Sequence, residues 1–284
     1  MSRIYDKTGA LRSLPKFKMI MNPTSYRMAH PVYKLGDIET ITSYHHKPEG
    51  YGDRLALSMI TAVRKCFDLV SGYNPEKMNE RNWLNRIVFL ETVAGVPGMI
   101  GGMSRHLKSL RTLEHDHGWI HHLLQEAENE RMHLFIFLQL RNPGAFMRIG
   151  IALSQFGFFN LYFFMYMLNA RFAHRFVGYL EEEAVHTYTL CLENIDNERL
   201  LSWKHMKAPA EAVEYYGLDP KTATMRDVVL SVRADEAVHR SVNHHFSDIP
   251  QFYEISNDKI QISEDGFRLN DQNEEELKKL IDTK

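Results

Sequence analysis

Two tetrads constrain this chain more than anything else in it: Glu130-Arg131-Met132-His133 and Glu236-Ala237-Val238-His239. Residues i and i+3 share one face of a helix, so each tetrad can aim a carboxylate oxygen and an imidazole nitrogen at one point. Both lie in segments whose apolar residues recur at helical spacing, which turns those faces inward. A fold that satisfies both must pack helices around a buried polar centre, and two such pairs can hold two metal ions.

A four-helix bundle of that kind takes a Glu-x-x-His pair from each of two helices and a lone inward glutamate from each of the other two. Glu91 is one candidate. Leu84, Ile87, Val88, Glu91, Ala94 and Gly95 form a single stripe, so its carboxylate sits on the face to be buried. An unpaired buried carboxylate is costly, the nearby cations Arg86 and Arg105 are off that stripe, and a metal would offset the cost. The second lone glutamate must come from Glu181-Glu182-Glu183. Positions 181 and 183 lie about 200° apart around a helix, so only one faces in. Periodicity slightly favours Glu183, which follows Phe172, Phe176 and Leu180.

Four runs in order, Phe89 to Gly98, Asn129 to His133, Leu180 to Ala184 and Arg233 to His239, resemble the alternative oxidases, membrane-bound di-iron quinol oxidases. The resemblance covers about residues 45 to 250. It implies an all-α, ferritin-like four-helix bundle with two additional membrane-interfacial helices. It also implies two non-haem iron ions held by Glu91, Glu130, Glu181 and Glu236, with His133 and His239 as ligands or hydrogen-bond partners. By resemblance, not by periodicity, Glu181 is the fourth carboxylate. Tyr188, seven residues on and on the same face, would then be the redox-active tyrosine, and Arg86, Leu90 and Thr187 would line the quinol pocket. Asn129 and Asp235 each precede a glutamate of the set and are candidate partners for the histidines. The implied reaction converts ubiquinol and O₂ to ubiquinone and water. An iron-binding protein of the ferritin kind and a di-iron quinone hydroxylase are the rival readings.

Length and composition agree with one large domain, because residues from 91 to 239 must converge. The expected division is an extended N-terminal arm over 1–48, the bundle over 49–250 and an acidic tail over 251–284. A net charge of −2 argues against a nucleic-acid partner. The charge is uneven: residues 1 to 36 hold seven Lys or Arg and one acid, and a basic arm can touch anionic lipid or a partner subunit. Cys66 and Cys191 have no ligand spacing and read as buried small hydrophobes. His115, His117, His121 and His122 fall mostly off the Glu130 stripe and read as surface or helix-packing residues. His186, three residues after Glu183, is a chance Glu-x-x-His.

The pattern predicts helices over 53–71, 80–104, 107–140, 145–172, 173–197 and 222–247, with a loop and short helices over 198–221. Ile149 to Ala170 is 22 residues without a charge, long enough to span a bilayer. A single span there would put Glu91 and Glu130 on one side and Glu181 and Glu236 on the other, so the segment is expected to lie on the membrane instead. The segment 53–71 shows one stripe of Leu55, Met59, Ala62, Cys66, Phe67 and Val70. A second stripe holds Arg54, Ser58, Thr61, Arg64, Lys65 and Asp68, the pattern of an interfacial helix. Membrane contact is therefore expected through 53–71 and 145–172. The resemblance further implies a homodimer on the matrix face of the mitochondrial inner membrane, or the cytoplasmic face of a bacterial one. No secretory signal peptide is recognised.

Overall fold

The computed structural model describes residue 30, residues 32–41 and residues 43–248. Among these there is no β-strand, only an isolated bridge between Lys207 and Thr224, and the chain is all-α. Its helices are α1 (Leu35–Glu39), α2 (Tyr51–Ser71), α3 (Glu80–Thr112), α4 (Trp119–Leu138), α5 (Ala145–Leu168), α6 (Ala170–Asp196), α7 (Leu201–His205), α8 (Ala210–Tyr216) and α9 (Met225–Asp248). The bundle consists of α3, α4, α6 and α9, packed chiefly as two pairs, α3 with α4 and α6 with α9. Short helices α7 and α8 occupy the predicted loop. The expected acidic tail lies outside the described residues, as does the arm before His30.

Small residues bring the paired helices together. A Cβ on Gly98 would stand 2.5 Å from the backbone oxygen of Leu123, and one on Gly95 would stand 3.2 Å from that of Ala127. On the other pair, a Cβ on Gly178 would stand 2.5 Å from Nδ1 of His244. Only glycine fits at Gly98 without moving a helix, and at Gly178 without displacing the buried His244 ring.

Three predicted boundaries shift for local reasons. The helix starting at Glu80 continues past residue 104 to Thr112, where Leu113 takes the left-handed C-cap and the amide of Glu114 reaches back to the carbonyl of Ser109. The next helix begins only at Trp119, with Asp116 Oδ2 accepting from the amide of Ile120 at 2.6 Å. The break expected near residue 172 falls at Asn169, whose extended backbone ends α5 and whose side chain accepts from the amide of Phe172 to start α6.

Outside the bundle, α5 lies along α3 and α6, and α2 lies along α6. Tyr162 and Tyr166 face inward from α5, while Phe146, Leu153, Phe156, Phe164 and Leu168 are exposed. Among the described residues, two helices are long and apolar enough to cross a membrane, but α3 is a core helix with 44% of its apolar stretch buried, against 17% for α5. Because α5 runs beside the bundle, its sequence neighbours α4 and α6 remain in one body.

The two stripes of α2 are not the two faces the sequence suggests. Ala56 and Ile60 are its buried residues. Arg64 and Asp68 turn inward: Arg64 Nη1 donates to Glu183 Oε2 at 2.7 Å, and Asp68 Oδ1 pairs with Arg86 at 2.7 Å. Leu55, Val63, Leu69 and Val70 are left exposed, and so is Cys66, contrary to the buried position expected for it. Cys191 is buried as expected.

Candidate metal centre

Glu91 on α3, Glu130 and His133 on α4, Glu181 on α6, and Glu236 and His239 on α9 are all buried and converge at the centre of the bundle. Their donor atoms form two groups, Glu91 with Glu130, His133 and Glu236, and Glu181 with Glu130, Glu236 and His239. Within each group the atoms lie within 4.8 Å of one another, and Glu130 and Glu236 belong to both. Each imidazole presents Nδ1. His133 Nδ1 stands 3.3 Å from Glu91 Oε2, 3.4 Å from Glu236 Oε1 and 3.6 Å from Glu130 Oε2. His239 Nδ1 stands 2.8 Å from Glu130 Oε1 and 3.6 Å from Glu236 Oε2.

These groups face one another without hydrogen bonding. Glu91 Oε2, both Glu130 oxygens, His133 Nδ1 and His239 Nδ1 are buried with no hydrogen-bond partner, the short His239 to Glu130 approach being out of line for one. Five orphaned donor and acceptor atoms around one spot would be costly in a protein interior. A cation shared between them removes the cost, and two divalent ions balance the four carboxylates. Oxygen and imidazole donors without thiolate suit iron or manganese.

The electrostatics point the same way. Burial and the neighbouring Glu130 charge push Glu91 up to about 8, and burial with the Glu236 and Glu130 charges pushes Glu181 well above the usual carboxylate range. Burial acts likewise on Glu130, but the imidazoles of His133 and His239 override it and hold that carboxyl below its ordinary value. Tyr188 donates its phenolic hydrogen bond to Glu91 Oε1; burial and the Glu91 charge raise the phenol far above its ordinary value, keeping it protonated.

The structure separates the three adjacent glutamates of α6. Glu181 joins the cluster, Glu182 accepts from His244 Nε2 and the amide of His46, each at 2.9 Å, and Glu183 pairs with Arg64. Periodicity favoured Glu183 because residues 173–179 of α6 are buried on every side, which leaves no single stripe to follow.

Asn129 and Asp235 adjoin the cluster. Asp235 Oδ2 lies 2.9 Å from His133 Nε2 and accepts from Asn129 Nδ2 at 3.0 Å and the Tyr216 hydroxyl at 2.8 Å. Burial would raise Asp235, but the His30 charge and the hydrogen bond from His133 lead a set of contacts that hold it well below the usual range. Sequence reasoning missed His30, Tyr33, Tyr215 and Tyr216 around this carboxylate, because they lie in the arm and the irregular stretch, where no periodicity marks an inward face. It also missed Glu126, which is buried one turn before Glu130. Its i+4 spacing was a usable signal, and burial pushes it up to about 7.

Arg86 lines a cavity of about 530 Å³ that also touches Phe67, Tyr73, Asn85, Phe89 and Phe146. Its guanidinium stacks 3.7 Å from the Tyr73 ring centre, and its Nε and Nη1 are buried without partners. Leu90 and Thr187 are outside this lining. His115, His117 and His121 are exposed, as expected.

A family model described as alternative oxidase matches residues 33–248. Proteins named mitochondrial alternative oxidase are similar over most of the chain. That of Emericella nidulans is 45% identical over 238 residues, covering 80% of this chain and 67% of the relative. That of Botryotinia fuckeliana is 46% identical over 244 residues, covering 78% and 68%. That of Cryptococcus neoformans var. grubii is 42% identical over 249 residues, covering 80% and 62%. The chain thus spans about two thirds of the length of the relatives it matches.

Proposed function

The chain belongs to the alternative oxidase family, and from that premise we propose that it is a ubiquinol:oxygen oxidoreductase that converts two ubiquinol and one O₂ to two ubiquinone and two water. The observation that carries this reading is the pair of four-donor groups sharing Glu130 and Glu236, with Tyr188 hydrogen-bonded to Glu91 at their edge. The family match favours the oxidase over both a storage protein of the ferritin kind and a quinone hydroxylase.

In this reading the cofactor is two iron ions. Glu91, His133, Glu181, His239, Glu130 and Glu236 would hold them, and bound iron would supply redox chemistry toward O₂. The chain's own residues hold the protons. Tyr188 keeps its phenolic proton directed at Glu91 Oε1, so an electron can leave the ring as the proton passes to that oxygen. Asp235 keeps the Nε2 hydrogen of His133 engaged, which leaves Nδ1 free as a donor.

The quinol is placed in the cavity beside Arg86, whose unpartnered Nη1 can donate to a quinone oxygen while Phe67 and Phe89 cover the ring. Leu90 and Thr187, one residue before Glu91 and Tyr188, are proposed as contacts nearer the metals. A long-tailed quinol resides in lipid, and the exposed apolar residues of α5 and α2 suit a helix surface laid on a membrane. The relatives' names support the mitochondrion, and we assign the matrix face of the inner membrane and a homodimeric state as parts of the same proposal.

The decisive test is O₂ uptake by the purified, iron-loaded protein in detergent with a short-chain ubiquinol. Uptake that resists cyanide, with labelled O₂ appearing in water, supports the oxidase. No uptake from fully loaded protein, or label in the quinone ring, rejects it.

A further inference from the structure

The Asp235 carboxylate divides its two oxygens between two parts of the chain. Oδ2 faces His133, Asn129 and Tyr216, all on or beside the bundle. Oδ1 faces the arm: His30 Nε2 approaches it at 2.8 Å, and the Tyr33 hydroxyl donates to it. The arm is seated firmly there. The His30 ring packs against Tyr33, Tyr215 and Tyr216 at 5.2, 4.6 and 5.0 Å between ring centres. Eight residues after His30, Ile38 is buried and its carbonyl accepts from Arg233 Nη2 at 2.9 Å. Over residue 30 and residues 32–41 the arm thus lies against the chain's own α9.

This arrangement reaches only one of the two donor groups. His133 belongs to the group with Glu91, and its Nε2 is tied to Asp235. His239 belongs to the group with Glu181, and none of its described contacts involves the arm or Asp235. We propose that His30 and Tyr33 are positioning residues for the metal position served by His133, so that docking of the arm is coupled to occupancy of that position and not of the other. The inference rests on the two-metal reading of the site.

The physical basis is hydrogen-bond saturation. A buried carboxylate with both oxygens fully engaged has one orientation, and it holds the His133 ring with Nδ1 toward the three glutamates. With the arm's two donors removed, Oδ1 is left unsatisfied in a dry interior, and the carboxylate rotates or draws in water to compensate. His133 then loses its fixed tautomer and angle. Coupling between two sites is reciprocal, so a metal ion that orders His133 must also tighten the arm.

The experiment uses the full chain, Mn(II) as the probe, and two readouts other than activity. Anaerobic calorimetric titration gives the affinity of each position, and amide exchange over residues 32–41 reports arm docking. The wild type is expected to bind two ions and to slow exchange in the arm on loading. Tyr33→Phe, which deletes one hydroxyl and keeps the ring, is expected to weaken one position by about tenfold while the other keeps wild-type affinity. His30→Phe is expected to do the same. In Glu181→Ala the weakened position is the other one, and arm exchange still slows on loading. Equal weakening at both positions, or unchanged affinity in Tyr33→Phe with arm exchange indifferent to Mn(II), overturns the coupling and leaves the metal reading intact. A wild type that binds no ion overturns both.

Discussion

Tyr188 on α6 donates its hydroxyl to Oε1 of Glu91 on α3, joining residues 97 positions apart in the chain. If that phenol supplies an electron and a proton, Tyr188→Phe should leave the fold and both metal positions in place. Its oxidase turnover should fall by about 100-fold or more, the range expected for loss of a placed proton donor. Loss of the hydrogen bond alone should cost about 1 kcal/mol of stability. Metal content by emission spectroscopy and quinol oxidation by the same preparation check this together; unchanged turnover removes Tyr188 from the reaction.

Glu181 and Glu183 differ by two residues and by nearly half a turn. Glu181→Ala should lower bound metal from two ions toward one per chain and abolish oxidase activity. Glu183→Ala should retain both ions, since it removes only a partly exposed ion pair with Arg64, a contact worth about 0.2 to 1 kcal/mol. Metal analysis of the two variants side by side decides it, and the opposite pattern would exchange their roles.

Gly98→Ala inserts a methyl group 2.5 Å from the Leu123 carbonyl oxygen, which is main chain and cannot swing aside. The helices must separate, at a cost of about 1 to 3 kcal/mol. Thermal denaturation should show a lower midpoint, and metal affinity should fall with it because Glu91 and Glu130 move apart. Gly150→Ala, with nothing within 4 Å, serves as the neutral control.

His46 ties the segment before α2 to the bundle by stacking on His244 at 4.5 Å between ring centres. Burial first, then the charges of His244 and Arg175 against those of Asp248 and Asp53, push its imidazole down to about 4. In the unfolded chain a histidine titrates near ~6.5. Between these values the unfolded state binds more protons, so this contribution is complete above pH 6.5 and lost as pH falls toward 4. His46→Phe keeps the stack and removes the titration. Its stability in denaturant should therefore vary less between pH 6.5 and 4 than that of the wild type, by up to about one bound proton in the slope. Identical slopes would place the acid sensitivity elsewhere.

Phe156 and Phe164 on α5 are 73% and 60% exposed, too much apolar surface for a helix facing water. Replacing both by glutamate should leave the bundle folded and metal-loaded, because neither is in its core. Binding to vesicles of mitochondrial lipid composition should drop by at least about tenfold, given roughly 1.5 to 3 kcal/mol for burying each phenylalanine. Flotation assays measure this, and undiminished binding would move the membrane surface away from α5.

The bundle and most of its centre were legible in the sequence because helical spacing reports which residues share a face. Glu91, Glu130, His133, Glu236 and His239 each stand on such a face. Glu181 was not legible by that means, since a helix buried on several sides has no single inward stripe. The polar stripe of α2 misled for a related reason: Arg64 and Asp68 are half-buried and turned inward by pairing with Glu183 and Arg86, partners that spacing cannot show. The donors around Asp235 were invisible for a third reason. His30 and Tyr33 reach it from about two hundred residues away and Tyr216 from a short helix in the irregular stretch, and only tertiary structure brings them together.

The glycine contacts of α3 also assign a stiffness to each side of the centre. At Gly95 and Gly98 the atoms nearest the missing Cβ positions are backbone oxygens of α4, so the approach of Glu91 to Glu130 is set by helix-against-helix packing that only a shift of a whole helix can change. Where α6 meets α9 at Gly178 the nearest atoms belong to the His244 side chain, a ring held by Glu182 and stacked on His46. The spacing on the Glu91 and Glu130 side is thus set by main chain, whereas that on the Glu181 and His239 side depends on how one imidazole is seated, so a substitution at His244 reaches the second half of the site and leaves the first as its reference.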